Sequence, residues 1–154
     1  MRIEEVLQES CVLNNLKGAG KKDVISELVY ALKNAGVIED AEKAIHVVLE
    51  REKLGSTGIG DGVAIPHGKL KGLKNILCVF GRSKEGLDFD AVDQKPVHIF
   101  FLLLAPEDSA SLHLKMLSRI SKILRDPSFR KNLIDLETTG DLYAKVIEED
   151  RKHL

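Results

Sequence analysis

Two stretches of this chain are apolar without alternation. Ile76 to Phe80 reads ILCVF and Val97 to Leu104 reads VHIFFLLL, both short, β-branched or aromatic, and apolar on either face. A strand with one face in water alternates apolar and polar residues, so these two must be central strands covered by helices on both sides. Cys78 is expected to pack within the first of them. The remaining pattern supplies the cover. Lys21 to Lys33 places Val24, Ile25, Leu28, Val29 and Leu32 at helical i, i+3/i+4 spacing, and Gly36 ends that helix. A second helix starts after Asp40 as N-cap, carries Ala41, Ala44, Ile45, Val48 and Leu49 on one stripe, and stops at Gly55, with Arg51 in its last turn. Gly86 to Pro96 reads as a turn or loop with a short strand around Leu87 to Phe89. Beyond Pro106 three helices follow: Ser109 to Arg125, one beginning near Pro127, and one capped by Thr139 or Gly140 and running to about Glu149. The expected fold is α/β, a three-layer sandwich with a mixed β-sheet and helices on both faces, in an order of roughly βααβββααα.

No internal repeat, low-complexity segment or linker divides the 154 residues, so residues 1 to 154 read as one domain, long enough to bury a proper core. Lys and Arg number 23 against 24 Asp and Glu, which leaves no electrostatic footprint for nucleic acid or an anionic membrane. The N-terminus MRIEEVLQES lacks the apolar run of a signal peptide, and the longest apolar stretch, Ile99 to Ala105, is too short to span a bilayer. Cys11 and Cys78 fit neither a CxxC nor a zinc spacing and point to a reducing compartment. The chain therefore reads as cytoplasmic, with proteins or small molecules as partners.

The chemistry concentrates in Ser56 to Lys69, STGIGDGVAIPHGK. Glycines at 55, 58, 60, 62 and 68 allow close approach of the backbone to a ligand, and their N–H groups, with the Ser56 and Thr57 hydroxyls, suit an oxyanion. His67, between Pro66 and Gly68, is the candidate nucleophile. Familiar phosphate motifs do not account for the segment. A P-loop needs Gly at 63 and Ser or Thr at 70, where the chain has Val63 and Leu70. Gly58-Ile59-Gly60-Asp61-Gly62 lacks the third-glycine spacing of a dinucleotide fingerprint and follows a helix rather than a strand. Gly81-Arg82-Ser83 is not completed as a nucleophile elbow. The five histidines include no i, i+4 pair, against a helical zinc site. Among them, His98 alternates with Val97 and Ile99 in a strand and reads as structural, His46 lies on a solvated helix face, and His153 is in the tail.

Three spaced blocks carry a family resemblance: Arg51-Glu52 with Leu54-Gly55-Ser56-Thr57-Gly58-Ile59-Gly60, then Ala64-Ile65-Pro66-His67-Gly68-Lys69, then Leu112-His113-Leu114. Arg51 lies 16 positions before His67 and His113 lies 46 positions after it. Over nearly its whole length the chain resembles the type-2 (fructose/mannitol) IIA domains of the bacterial phosphoenolpyruvate-dependent phosphotransferase system, most closely the stand-alone nitrogen-regulatory IIA proteins. Asp61 stands where those proteins more often have Asn, which puts a carboxylate six positions before the nucleophile, and Val63 where they more often have Ile.

The resemblance implies a phosphocarrier without cofactor or metal. His67 would accept a phosphoryl group, on Nε2, from a histidine phosphocarrier protein, with Nδ1–H held by a backbone carbonyl. Arg51, permanently charged and forked, would hold the equatorial oxygens, and His113, in the first turn of its helix on one face with Met116, Leu117 and Ile120, would complete the site beside Ser56, Thr57 and Gly68. The onward partner is either a IIB cysteine of a sugar permease on another chain or a regulatory target read by phosphorylation state; the wording of the motifs leans to regulation. A phosphohydrolase using His67 transiently is the weaker alternative.

Overall fold

The computed structural model describes residues 1–153. The two doubly apolar segments form the centre of the sheet. β5 (Leu77–Leu87) and β6 (Val97–Ala105) pair antiparallel from Leu77↔Leu104 to Arg82↔Ile99, and every β6 residue is buried except half-buried His98. β1 (Leu7–Leu13) lies parallel to β5 at one end. On the other side of β6 lie β3 (Val63–Ala64) and β4 (His67–Lys69), both parallel to it, with β2 (Gly58–Gly60) antiparallel to β3 beyond. The sheet is mixed, as its sequence implies.

Helices α1 (Lys21–Asn34) and α2 (Ala41–Lys53) pack on one face, and α3 (Ala110–Ile123), α4 (Pro127–Asp135) and α5 (Thr139–Arg151) on the other. The strand pleat separates the two cores. Phe80 and Phe101, directly opposed across β5 and β6, meet edge to face at 5.1 Å, while their neighbours Gly81 and Phe100 point the other way, Gly81 against Leu28 of α1 and Phe100 against Phe89 at 5.4 Å. All five expected core positions of α1 are buried, as are Ala41, Ala44, Ile45 and Val48 of α2. Asp40 caps α2 by accepting the Lys43 N–H at 3.0 Å.

The structure departs from the sequence reading at three places. The glycine-rich run, to which the sequence reading assigns no element, contains three short strands. The short strand expected around Leu87 to Phe89 is not a separate element: β5 continues to Leu87 through a bulge in which residues 82 to 87 face only 99 to 97, and Phe89 then leaves the sheet to bury its ring. The cap of α5 is Thr138, which accepts the Asp141 N–H at 3.0 Å, rather than Thr139 or Gly140.

One buried cation ties the layers together. Arg82 of β5, 2% exposed, donates to the carbonyls of Leu133, Ile134 and Leu136 at the end of α4 and to that of Asn14 after β1. With no carboxylate in contact among the described residues, its charge is answered by the negative end of the α4 dipole and by carbonyls otherwise left without donors. Among the described residues no helix is long and apolar enough to cross a membrane.

Candidate functional site

β3 and β4 are two pieces of one line alongside β6, interrupted at Ile65-Pro66. Proline cannot donate to the ladder, so the break falls there; pairing survives through the Pro66 carbonyl, which accepts the Leu103 N–H at 3.0 Å. Past β2 and β3, β4 forms the sheet edge. Gly68 faces α2, where a Cβ would lie 2.6 Å from Val47 Cγ1, so its strand neighbours His67 and Lys69 face the opposite way, toward α3. The edge strand, α2 and α3 thereby enclose a cavity of about 490 Å³ lined by Arg51, His67, Gly68, Lys69, His113 and Leu114, among others. Hollows of about 760 and 680 Å³ exist elsewhere, but neither is lined by a histidine.

The His67 ring is held by its Nδ1, 2.8 Å from the Ile65 carbonyl oxygen. A carbonyl only accepts, so Nδ1 carries the proton and Nε2 keeps its lone pair. Burial pushes the imidazole below its ordinary range; the Ile65 hydrogen bond opposes this, and the Arg51 charge lowers it further against a rise from Glu52. His113 lies with its ring centroid 5.3 Å from that of His67, nearly perpendicular at 80°. Burial, then the neighbouring His67 and Lys69, push His113 down to about 4. Its Nε2 is buried without a hydrogen-bond partner, an exception that polar groups in folded proteins rarely show without a reason. Arg51, in the last turn of α2, spends one Nη1 hydrogen bond on the Gly55 carbonyl at 3.0 Å. The cavity thus joins an unprotonated ring nitrogen, a permanent cation and an unpartnered imidazole nitrogen, a set suited to an anion beside a nucleophile.

Four of the residues singled out in the sequence therefore meet: Arg51, His67, Gly68 and His113. Ser56 and Thr57 do not line the cavity. The Ser56 hydroxyl donates to the Phe89 carbonyl at 3.3 Å and accepts the Gly58 N–H at 3.0 Å, and the buried Thr57 hydroxyl donates to Glu52. Lys69 was not singled out, although its position two residues after His67 on a strand places it on the same face. Glu52 stands beside Arg51 in the first motif block but is given no role there; its helical pattern alone reads as a solvated position, whereas the structure buries it. Asp61 is exposed at the tip of the β2–β3 hairpin, and its charge is not among those that bear on His67. His98 lies away from the cavity with Nδ1 3.0 Å from the Ser83 carbonyl oxygen, and His46 is exposed on α2.

Comparison with known proteins agrees with this architecture. Residues 5–149 match the family model described as phosphoenolpyruvate-dependent sugar phosphotransferase system, EIIA 2. The chain is 44% identical over 134 residues to a nitrogen regulatory protein of Bradyrhizobium diazoefficiens, covering 86% of each. It is 36% identical over 151 residues to the fructose-specific EIIABC component of Bacillus subtilis, a match that takes in 98% of this chain and 24% of that relative's length. The crystal structure of the nitrogen regulatory protein IIA-Ntr from Neisseria meningitidis superposes with a TM-score of 0.86 at 34% identity, covering 94% of this chain and 98% of that one. The chain belongs to the EIIA type-2 family of the phosphoenolpyruvate-dependent sugar phosphotransferase system.

Proposed function

We propose that His67 is the phosphoryl acceptor of this EIIA domain and that its donor is the phosphohistidine of a small phosphocarrier protein. The observation that carries this reading is the 2.8 Å contact of His67 Nδ1 with the Ile65 carbonyl, which leaves a neutral Nε2 beside Arg51 and His113. In transfer, the N–P bond of the donor breaks as the bond from His67 Nε2 to phosphorus forms. The donor imidazole keeps the electron pair, and the proton of His67 stays on Nδ1, hydrogen-bonded to the Ile65 carbonyl. Because the transferring group is largely metaphosphate-like, positioning and charge stabilisation suffice. The Arg51 fork supplies them, together with the His113 Nε2, which in its protonated tautomer donates to a phosphoryl oxygen.

Incubation with phosphoenolpyruvate, enzyme I and a histidine phosphocarrier should add one phosphate to the intact mass, labile to acid, and none to His67→Ala; undiminished labelling of that variant would refute the assignment. Arg51→Ala and His113→Ala should melt near wild type yet accept phosphate about 10²–10³ times more slowly each.

Onward, we read the domain as regulatory, its partners distinguished by the phosphorylation state of His67, in line with its 44% identity to a nitrogen regulatory protein. The second reading, transfer to a IIB cysteine of a sugar permease, draws on the 36% identity to a fructose-specific component. Discharge of the phosphoprotein by a purified fructose IIB domain separates the two.

A further inference from the structure

Consecutive residues of α2 point to different tasks. An α-helix turns about 100° per residue, so while Arg51 faces the cavity, Glu52 turns beneath the glycine-rich run, where its side chain is 3% exposed. There it accepts the Thr57 N–H at 3.2 Å on each oxygen and the Thr57 hydroxyl, and pairs with Lys21 Nζ of α1 at 3.1 Å. The Thr57 carbonyl accepts the Ile65 N–H at 3.0 Å, and the Ile65 carbonyl accepts Nδ1–H of His67 at 2.8 Å. From Lys21 to the imidazole the series has no gap. A buried carboxylate costs stability unless it is fully answered, and among the described residues this one is answered only by Thr57 and Lys21.

We propose that Glu52 is a positioning residue for phosphoryl acceptance, fixing the orientation and tautomer of His67 through Thr57 and Ile65. What passes along the series is position rather than charge. The N–H and C=O of Thr57 belong to different peptide units, as do those of Ile65, so polarisation does not run from one link to the next. Fixing Thr57 fixes the carbonyl on which Ile65 hangs, and Ile65 in turn sets where the Nδ1 proton is held. If this carbonyl shifts, the imidazole is free to move its proton to Nε2, and the lone pair that would attack phosphorus is lost. α2 would then deliver both the phosphate-facing cation and the support of the nucleophile, and the two would move only together.

The inference rests on His67 being the acceptor, but its first readout does not. In uniformly ¹⁵N-labelled, unphosphorylated protein, long-range ¹H–¹⁵N spectra give the protonated nitrogen of His67 directly. Glu52→Met keeps the volume and removes the acceptor; it should give a mixture of His67 tautomers and slow phosphoryl acceptance about tenfold to 10²-fold, the scale of a misplaced reacting group, with the carrier concentration at half-maximal rate unchanged. Glu52→Gln, which retains an oxygen for the Thr57 N–H, should restore the single tautomer and most of the rate. A folded Glu52→Met protein with the wild-type tautomer and rate overturns the proposal. Should that variant not fold, Glu52→Asp keeps the charge near Lys21 but withdraws it from Thr57 by one methylene, and a wild-type tautomer and rate there overturn it equally. A wild-type protein never labelled on His67 would refute the proposed function, while the tautomer spectra still judge the link from Glu52 to the ring.

Discussion

At the scale of the residue, Gly68 is the tightest point of the site. Its role is space rather than backbone freedom: an added Cβ would sit 2.6 Å from Val47 Cγ1, on a β-branched side chain with little room to turn. Gly68→Ala should therefore cost about 1–3 kcal/mol by overpacking, and it should push β4 off α2 and carry His67 with it. Urea titration measures the first effect and phosphoryl acceptance the second. Val47→Ala in the same chain should recover part of both; a double variant no better than the single would mean that Val47 is not the obstacle. That a glycine follows the nucleophile is plain in the sequence, where its N–H suits an oxyanion. Steric closeness to α2 depends on which face of β4 meets the helix, and nothing local in the sequence says so.

At the scale of the element, the segment carrying His67 is built from pieces too short to announce themselves. The β2–β3 hairpin pairs Gly60 with Val63 around Asp61 and Gly62, whose φ values are 58° and 76°. Two positive φ angles in a two-residue loop are the mark of a type I′ turn, which favours Asn-Gly and Asp-Gly. The Asp-Gly pair was visible and is a known hairpin signal; what hid it was the flanking run, in which two- and three-residue strands show no alternation to count. The same turn accounts for Asp61, since Asp, like Asn, tolerates the left-handed region. Asp61→Asn should thus leave stability within about 0.5 kcal/mol of wild type, whereas Gly62→Ala, which meets no atom closer than 3.5 Å, should lose about 1–2 kcal/mol from its left-handed backbone alone. Chemical denaturation of the two variants side by side tests this, and equal stabilities would argue against the turn. Longer elements were legible for the converse reason: α1 and α2 repeat their apolar stripe over three turns, and β6 is apolar throughout its nine residues except at His98. Ser56 and Thr57 illustrate the opposite limit. Their hydroxyls fit an anion as chemistry, but Glu52 and the Phe89 carbonyl engage them first, and those partners are brought in by tertiary structure.

At the scale of the whole molecule, the site leaves its imprint on stability as a function of pH. Burial, followed by the neighbouring His67 and Lys69, lowers His113 from its ordinary 6.5 to about 4, and burial lowers His67 in the same direction. In the unfolded chain both imidazoles protonate near 6.5. Between about 6.5 and 4 the unfolded state consequently binds more protons than the folded one, so stability rises with pH across that window. The contribution is present in full above 6.5 and is lost progressively as the pH falls toward 4, because protonating His113 places a cation against Lys69 and His67 in a buried setting. Melting temperatures recorded from pH 7.5 down to 5, where most exposed carboxylates remain ionised, should fall for the wild type and fall less for His113→Gln. His67→Gln/His113→Gln should show the flattest profile. Identical slopes in all three proteins would show that neither histidine is held neutral by the fold. The lowered range of His67 has a functional corollary: phosphoryl acceptance should fall less at pH 6 than it would for a solvent-exposed histidine, which would be mostly charged and unable to attack. Measured initial rates of acceptance at pH 6 and 7.5, with the donor already phosphorylated, should therefore differ by less than the roughly fourfold drop in neutral imidazole expected for an unperturbed group. A drop of that size or larger would place the His67 ring in solvent, contrary to the cavity formed by β4, α2 and α3.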